Sequence, residues 1–248
     1  LLAIFVLLTL YTFLRSLYSP RAAPWRVMSV LCSLAAVASK EVGAMAGPVI
    51  LLFDVLVITG SWKQTWRLRK GYYAGLLLGW ILLSLLLATA SLQTKVGGSA
   101  RISPWQYLLM QSRIILMYLR LSFWPNALVI SYVDWPVPPS LAAVWPEMLA
   151  VCGMVAASIY LIVRKCRIGI LGAWFFLILA PSSSLLPLPS EPAAERRMYL
   201  PLAAVALALV LIAERLTRRF PRRAMAGTLS VLALTVVLTQ VTRVRNDD

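Results

Sequence analysis

Long apolar runs broken by short polar stretches make up most of the chain, and they predict eight membrane-crossing helices, over 1–14, 26–39, 44–59, 72–90, 145–163, 168–182, 199–213 and 224–241. In hydrocarbon, backbone polar groups have no water and must bond within their own segment, which favours a helix. The stretch from 26 to 59 is too long for one helix, and Lys40-Glu41-Val42-Gly43 is its only polar interruption, so a tight helical hairpin is expected there. Residues 104–124 approach spanning length, but a crossing there would reverse the side of every later loop. With Gln111, Arg113 and Arg120 among Leu, Ile and Met, they predict an interfacial or re-entrant helix instead. The expectation is an all-α polytopic membrane protein. Its parts are spans over 1–90, an outer region over 91–144, spans over 145–241 with an outer loop at 183–198, and a polar approach to a soluble region at 242–248. Gly97, Gly98, Pro125, Pro136, Pro138 and Pro139 set the turns of the outer region.

Composition narrows the class. Apolar residues are 60% of the chain and charged ones 13%, with a mean hydropathy of +0.81, which excludes an ordinary water-soluble globule. The 24 Lys and Arg against 9 Asp and Glu fall in short clusters between apolar runs rather than on one polar surface, so nucleic acid is not the expected partner. Cations collect on the cytoplasmic side of membrane proteins. That rule puts Arg15, Arg21 and Arg26, then Lys63, Arg67, Arg69 and Lys70, then Arg164, Lys165 and Arg167, then Arg215 to Arg223 inside. Most acidic residues then face outward, towards a periplasmic, extracellular or lumenal space. Histidine is absent, and Cys32, Cys152 and Cys166 are scattered, so zinc sites and a disulfide framework have no basis; a divalent metal could be held only by carboxylates. The chain opens inside an apolar run without a starting Met and closes in Arg-Asn-Asp-Asp, and it reads as a fragment without secretory-signal features. No internal repeat, Gly-rich phosphate loop or nucleophile elbow is present.

Ionisable residues at membrane depth cost about 2.5–3.5 kcal/mol each, so each asks for a partner or a task. Lys40 and Glu41 sit at the outer tip of the hairpin. Either they answer the two helix dipoles that meet there, or Glu41 orients a polar substrate while Lys40 meets an anion. Glu195, Arg196, Arg197 and Tyr199 precede Pro201 at the start of a returning helix, where free N–H groups and two guanidinium groups suit phosphate. The alternative is that the arginines snorkel to headgroups and Tyr199 joins an aromatic belt. Arg113 and Arg120, on one helix face, fit a ligand role or headgroup contacts equally. Asp134 reads as a loop residue, and Asp54 as a buried carboxyl that requires a partner.

Ser39-Lys40-Glu41 with Asp54 downstream, the Phe123-Trp124-Pro125 to Tyr132 loop, and Ala194-Glu195-Arg196-Arg197-Met198-Tyr199-Leu200-Pro201 resemble the membrane part of the transmembrane and tetratricopeptide-repeat O-mannosyltransferase-like family. That family belongs to the GT-C glycosyltransferases, and the resemblance runs through nearly the whole chain. It implies a GT-C-like helical bundle that takes a sugar, mannose in that family, from a polyprenyl-phosphate donor. The sugar passes with inversion to a protein Ser or Thr, or a glycan acceptor, on the outer or lumenal face. It also implies that the acidic catalytic motif lies in an outer loop upstream of these residues, and that tetratricopeptide repeats follow them. Lys40, Glu41, Arg113, Arg120, Glu195, Arg196, Arg197 and Tyr199 are the substrate-binding candidates, since cations placed beforehand stabilise the charge that grows on a departing phosphate. No cofactor beyond a possible divalent metal is expected. Competing readings are a transporter or flippase of lipid-linked saccharide, a surface-polysaccharide ligase or polymerase, and a non-catalytic membrane anchor. A transporter would place charges near the bilayer midplane, whereas these crowd the outer end.

Overall fold

The computed structural model describes residues 1–93, 103–124, 132, 135–183, 192–217, 239–240 and 243. Among these residues all regular structure is helical. In chain order it comprises α1 (Leu2–Tyr18), α2 (Ala22–Ser39), α3 (Ala46–Phe53), α4 (Trp62–Gln93), α5 (Pro104–Phe123), α6 (Trp145–Val163), α7 (Gly169–Ser183) and α8 (Pro201–Thr217). A 3-10 turn over Glu41–Met45 leads into α3 and a π-helical segment over Asp54–Thr59 continues it, so 41–59 is one helical run.

The expected eight crossings are corrected to three among the described residues: α2, the run Glu41–Thr59, and α6 are long and apolar enough to cross a membrane. Length and charge account for the difference. α7 has 15 residues, which at about 1.5 Å per residue reaches roughly 22 Å against a hydrocarbon core of about 30 Å. α1, with 17 residues, is also apolar and short. The span expected at 72–90 is the later part of α4, a 32-residue helix whose first turns carry Lys63, Arg67, Arg69 and Lys70. The span expected at 199–213 starts at Pro201 and ends with Glu214 and Arg215 in its last turn. Most of 224–241, together with Gly97, Gly98, Pro125, Asp134, Glu191 and nearly all of 242–248, lies outside the described residues.

From α1 to α4 the helices alternate in direction, with the early part of α1 packed beside the late part of α2 and the late part of α1 beside the early part of α4, which gives the bundle two ends; α5 and α6 both run antiparallel to α7. At one end Val6, Ala36, Val42, Met45, Ile178 and Leu200 pack together. Towards the other end Phe13, Ile50, Tyr72, Tyr73 and Leu76 form a second cluster, near the cations of the α1–α2 turn and the start of α4. A third cluster joins α5 to α7 and to the segment before α8, through Tyr107, Met110, Ile114, Tyr118, Phe175 and Met198.

Two close approaches hold the first half together. After α2 the chain turns at Lys40 in extended backbone (φ −166°, ψ 146°), and the Gly43 N–H donates to the Lys40 carbonyl at 2.8 Å. A Cβ at Gly43 would overlap the backbone of Ala36 and Val37, so only glycine lets the turn lie on the last turn of α2. Gly75 and Gly79, on one face of α4, bring α2 close: a Cβ there would reach Val30 at 3.0 Å and Val37 at 3.4 Å. With Gly71 they form a repeated small-xxx-small spacing, the pattern by which helices approach closely in lipid.

Asp54 is fully buried at the start of the π-helical segment. Arg69 Nη1 donates to both of its carboxylate oxygens at 2.8 Å, and the Tyr73 hydroxyl donates to Oδ2 at 2.6 Å. The Arg69 guanidinium also lies over the Phe13 ring, 5.9 Å from its centroid. The carboxyl that demanded a partner from sequence therefore has two, both on α4, and the network fastens that helix to the 41–59 run.

Candidate functional site

The C-terminal end of α2, the start of α1, the end of α7 and the start of α8 meet at the end of the bundle opposite the basic turns. A cavity of about 560 Å³ opens there, and Lys40, Arg196, Arg197, Tyr199 and Ser182 contribute its polar wall. Leu2, Ile4, Val42, Ile178 and Leu200 make the rest apolar. Two stretches more than 150 residues apart in sequence thus share one hollow whose lining is part apolar and part cationic.

Each cation is held differently. The Lys40 backbone N–H donates to the Ala36 carbonyl at 3.1 Å and closes α2, which leaves the half-buried side chain at the cavity wall. Among the described residues no carboxylate lies within ion-pair distance of its ammonium. Arg197 Nη1 donates to the carbonyls of Pro192 at 2.9 Å and Ser182 at 3.3 Å, tying the 3-10 turn Glu195–Met198 to the end of α7. Arg196, its neighbour, is exposed, and Tyr199 is 75% exposed at the rim.

The turn that carries the arginines is anchored from beneath by α5. The Tyr118 hydroxyl accepts from the Ala194 N–H at 2.7 Å and donates to the Ala194 carbonyl at 3.0 Å. Burial pushes this phenol above its ordinary pKa, against the lowering effect of the Ala194 N–H, so it stays a neutral donor. Gln111 Nε2 donates to the Pro192 carbonyl at 3.1 Å, and the Tyr107 hydroxyl to the Ser182 carbonyl at 2.8 Å. Trp174 Nε1 donates to the Leu200 carbonyl at 2.8 Å from the α7 side. The Tyr132 hydroxyl donates to Glu195 Oε1 at 2.9 Å, on the far side of the turn.

Of the sequence candidates, Lys40, Arg196, Arg197 and Tyr199 come together at the cavity. Glu195 lines a smaller hollow beside Tyr118, Ser122 and Met198. Glu41 is half-buried in the hairpin turn but does not line the cavity. Arg113 is drawn elsewhere: Nε pairs with Glu147 at 3.0 Å and Nη2 donates to the Ala143 carbonyl, which bolts α5 to the start of α6. Arg120 is exposed near the end of α5 and lines neither hollow. The residues that sequence reasoning missed are Tyr107, Gln111 and Tyr118. Their spacing of four and seven puts three polar groups on one helical face, the signal that could have marked them as supports of the site.

No protein-family model, no curated protein and no solved structure matches the chain.

Proposed function

We propose that this chain is the membrane-embedded part of a glycosyltransferase that takes a sugar, mannose by the family resemblance, from a polyprenyl-phosphate donor and passes it to a Ser or Thr hydroxyl or a glycan on the outer or lumenal face. The observation that carries the reading is the meeting of Lys40 with Arg196, Arg197 and Tyr199 in a cavity whose remaining wall is apolar. A lipid phosphate has the same two halves: an anion that needs cations and a tail that needs hydrocarbon.

In the proposed reaction the acceptor oxygen attacks the anomeric carbon as the bond from that carbon to the phosphate oxygen breaks. The electron pair leaves with the phosphate, which gains negative charge, and the acceptor proton passes to a base that is not assigned among these residues. Groups aimed in advance at growing charge lower the barrier, because no reorganisation is needed when the charge appears. Lys40 and Arg196 supply such groups, Arg197 holds the wall in shape through two carbonyls, and Tyr199 offers a ring and a hydroxyl to the sugar.

The test is transfer by the full-length protein in liposomes, with polyprenyl-phosphate mannose as donor and a Ser/Thr peptide as acceptor. Arg196→Ala is expected to lower turnover by about 10²-fold or more, the usual effect of deleting one transition-state donor, with insertion and thermal stability unchanged. Wild-type turnover in both Arg196→Ala and Lys40→Ala would remove the cavity from the mechanism.

A further inference from the structure

At the opposite end of the bundle α4 is not one straight helix. Arg69 has non-helical backbone angles (φ −137°, ψ 23°), and they separate a short first segment, 62–68, from the long remainder. The break is pinned on both sides. The buried Asp54 holds the Arg69 guanidinium through both carboxylate oxygens, and Thr65, itself buried, meets the hydroxyl of Thr59. Gly60, in the left-handed region at φ 69°, turns the chain out of the π-helical segment into this short piece. The segment is thus held at a set angle by contacts on its inner face.

Its outer face combines two kinds of side chain. Trp62 and Trp66, one turn apart, are 49% and 54% exposed. Lys63, Arg67 and Lys70 run beside them at spacings of four and three, all exposed, and with the two rings they line a shallow concavity. Indole rings settle at the headgroup level of a bilayer, and clustered Lys and Arg next to them attract anionic lipid. Most of the described charge at this end is positive. Arg15 lies in the last turn of α1, Arg21 in the α1–α2 turn and Arg26 near the start of α2, and the Asp54 carboxylate behind the segment is already committed to Arg69 and Tyr73.

We infer that the face of Trp62, Lys63, Trp66, Arg67 and Lys70 is a fixed docking platform for the headgroups of anionic phospholipids, in the leaflet opposite the Lys40–Arg196 cavity. Charge complementarity selects the occupant: the rings lie along the interface and the three cations reach phosphate. The Asp54–Arg69 clamp makes the platform rigid, so no ordering of the segment opposes binding. This inference does not depend on the glycosyl-transfer reading, because it concerns the other end of the molecule.

The experiment uses the full-length protein in liposomes of phosphatidylcholine with spin-labelled phosphatidylglycerol or spin-labelled phosphatidylcholine as tracer. The protein-restricted fraction of each lipid is read by electron spin resonance. The wild type is expected to prefer phosphatidylglycerol, and the Lys63→Gln/Arg67→Gln/Lys70→Gln variant to lower that preference by about fivefold or more at low salt. Lys63→Arg/Lys70→Arg, which keeps the charge, should keep the preference, and raised salt should erase it in both charged forms. Equal restriction of the two lipids by the wild type, as expected of a face made for an acidic protein partner, overturns the inference. So does a preference that survives the triple substitution. Because the three cations are exposed, the variants are expected to fold, and an unchanged thermal midpoint checks this.

Discussion

At Arg197 the guanidinium is engaged with two backbone carbonyls, while at Arg196 the side chain is exposed beside the same cavity. The neighbouring arginines should therefore fail differently when truncated. Arg196→Ala should lose transfer. Arg197→Ala should lose transfer and also stability, by about 1.5–3 kcal/mol for a charged donor taken from its acceptors, seen as a lower thermal midpoint in detergent. A wild-type midpoint for Arg197→Ala would show that the carbonyl contacts contribute nothing. Gly43 carries the third residue-scale prediction. A methyl group there meets the Ala36 carbonyl, and relief of that overlap should cost about 1–3 kcal/mol. Since the turn positions Lys40, Gly43→Ala should weaken donor binding as well, measurable as a raised KM. From sequence, Lys40 was visible as a charge in an apolar stretch and the arginines as a pair before Pro201. The difference between the arginines was not visible, because it depends on where the carbonyls of Ser182 and Pro192 point.

Among the elements, α5 shows why a helix can be found in sequence while its task is missed. Ser103 caps it through the Gln106 N–H, with the Gln106 side chain returning to the Ser103 N–H, and Pro104 follows at its first position. Its length and these start signals are local. Its task is not: the face bearing Tyr107, Gln111 and Tyr118 reaches a segment more than 70 residues further along the chain. Arg113, more conspicuous in the sequence, binds the start of α6 instead. Tyr118→Phe tests the support role. It leaves the buried Ala194 N–H and carbonyl without this partner, at about 1–3 kcal/mol, and should slacken the Glu195–Met198 turn. A lower thermal midpoint together with reduced transfer is expected, whereas Tyr107→Phe, which removes a single hydroxyl contact, should do less. A similar account covers Asp54. Sequence demanded a partner for it but did not choose among the many cations, because the choice rests on the π-helical segment turning the carboxylate toward α4.

Over the whole molecule, the cations gather at two ends, and the alternating directions of α1 to α4 keep the two groups apart. Lys40, Arg196 and Arg197 gather at the cavity end, and Arg15, Arg21, Lys63, Arg67 and Lys70 belong to a turn and to helix ends at the other. If the 41–59 run crosses the bilayer, Ser39 and Lys63 must lie on opposite sides of it, since the run is the only described helix between them that is long and apolar enough to cross. The positive-inside tendency then predicts which side is which. In a variant with Cys32, Cys152 and Cys166 replaced by Ser or Ala, a membrane-impermeant maleimide added to intact cells should label Ser39→Cys, which is exposed. It should label Lys63→Cys, also exposed, only after permeabilisation. Labelling of both from outside would mean that 41–59 dips into the membrane without crossing it. The donor cavity and the Trp62–Lys70 platform would then share a leaflet, and the sugar-transfer and lipid-docking assignments could not both stand as drawn. The reverse pattern, with Lys63→Cys alone labelled from outside, would keep the crossing but turn the cavity to the cytoplasm, where an outward-facing acceptor cannot reach it. One labelling experiment therefore decides the orientation on which both assignments rest, without requiring the enzyme to be active.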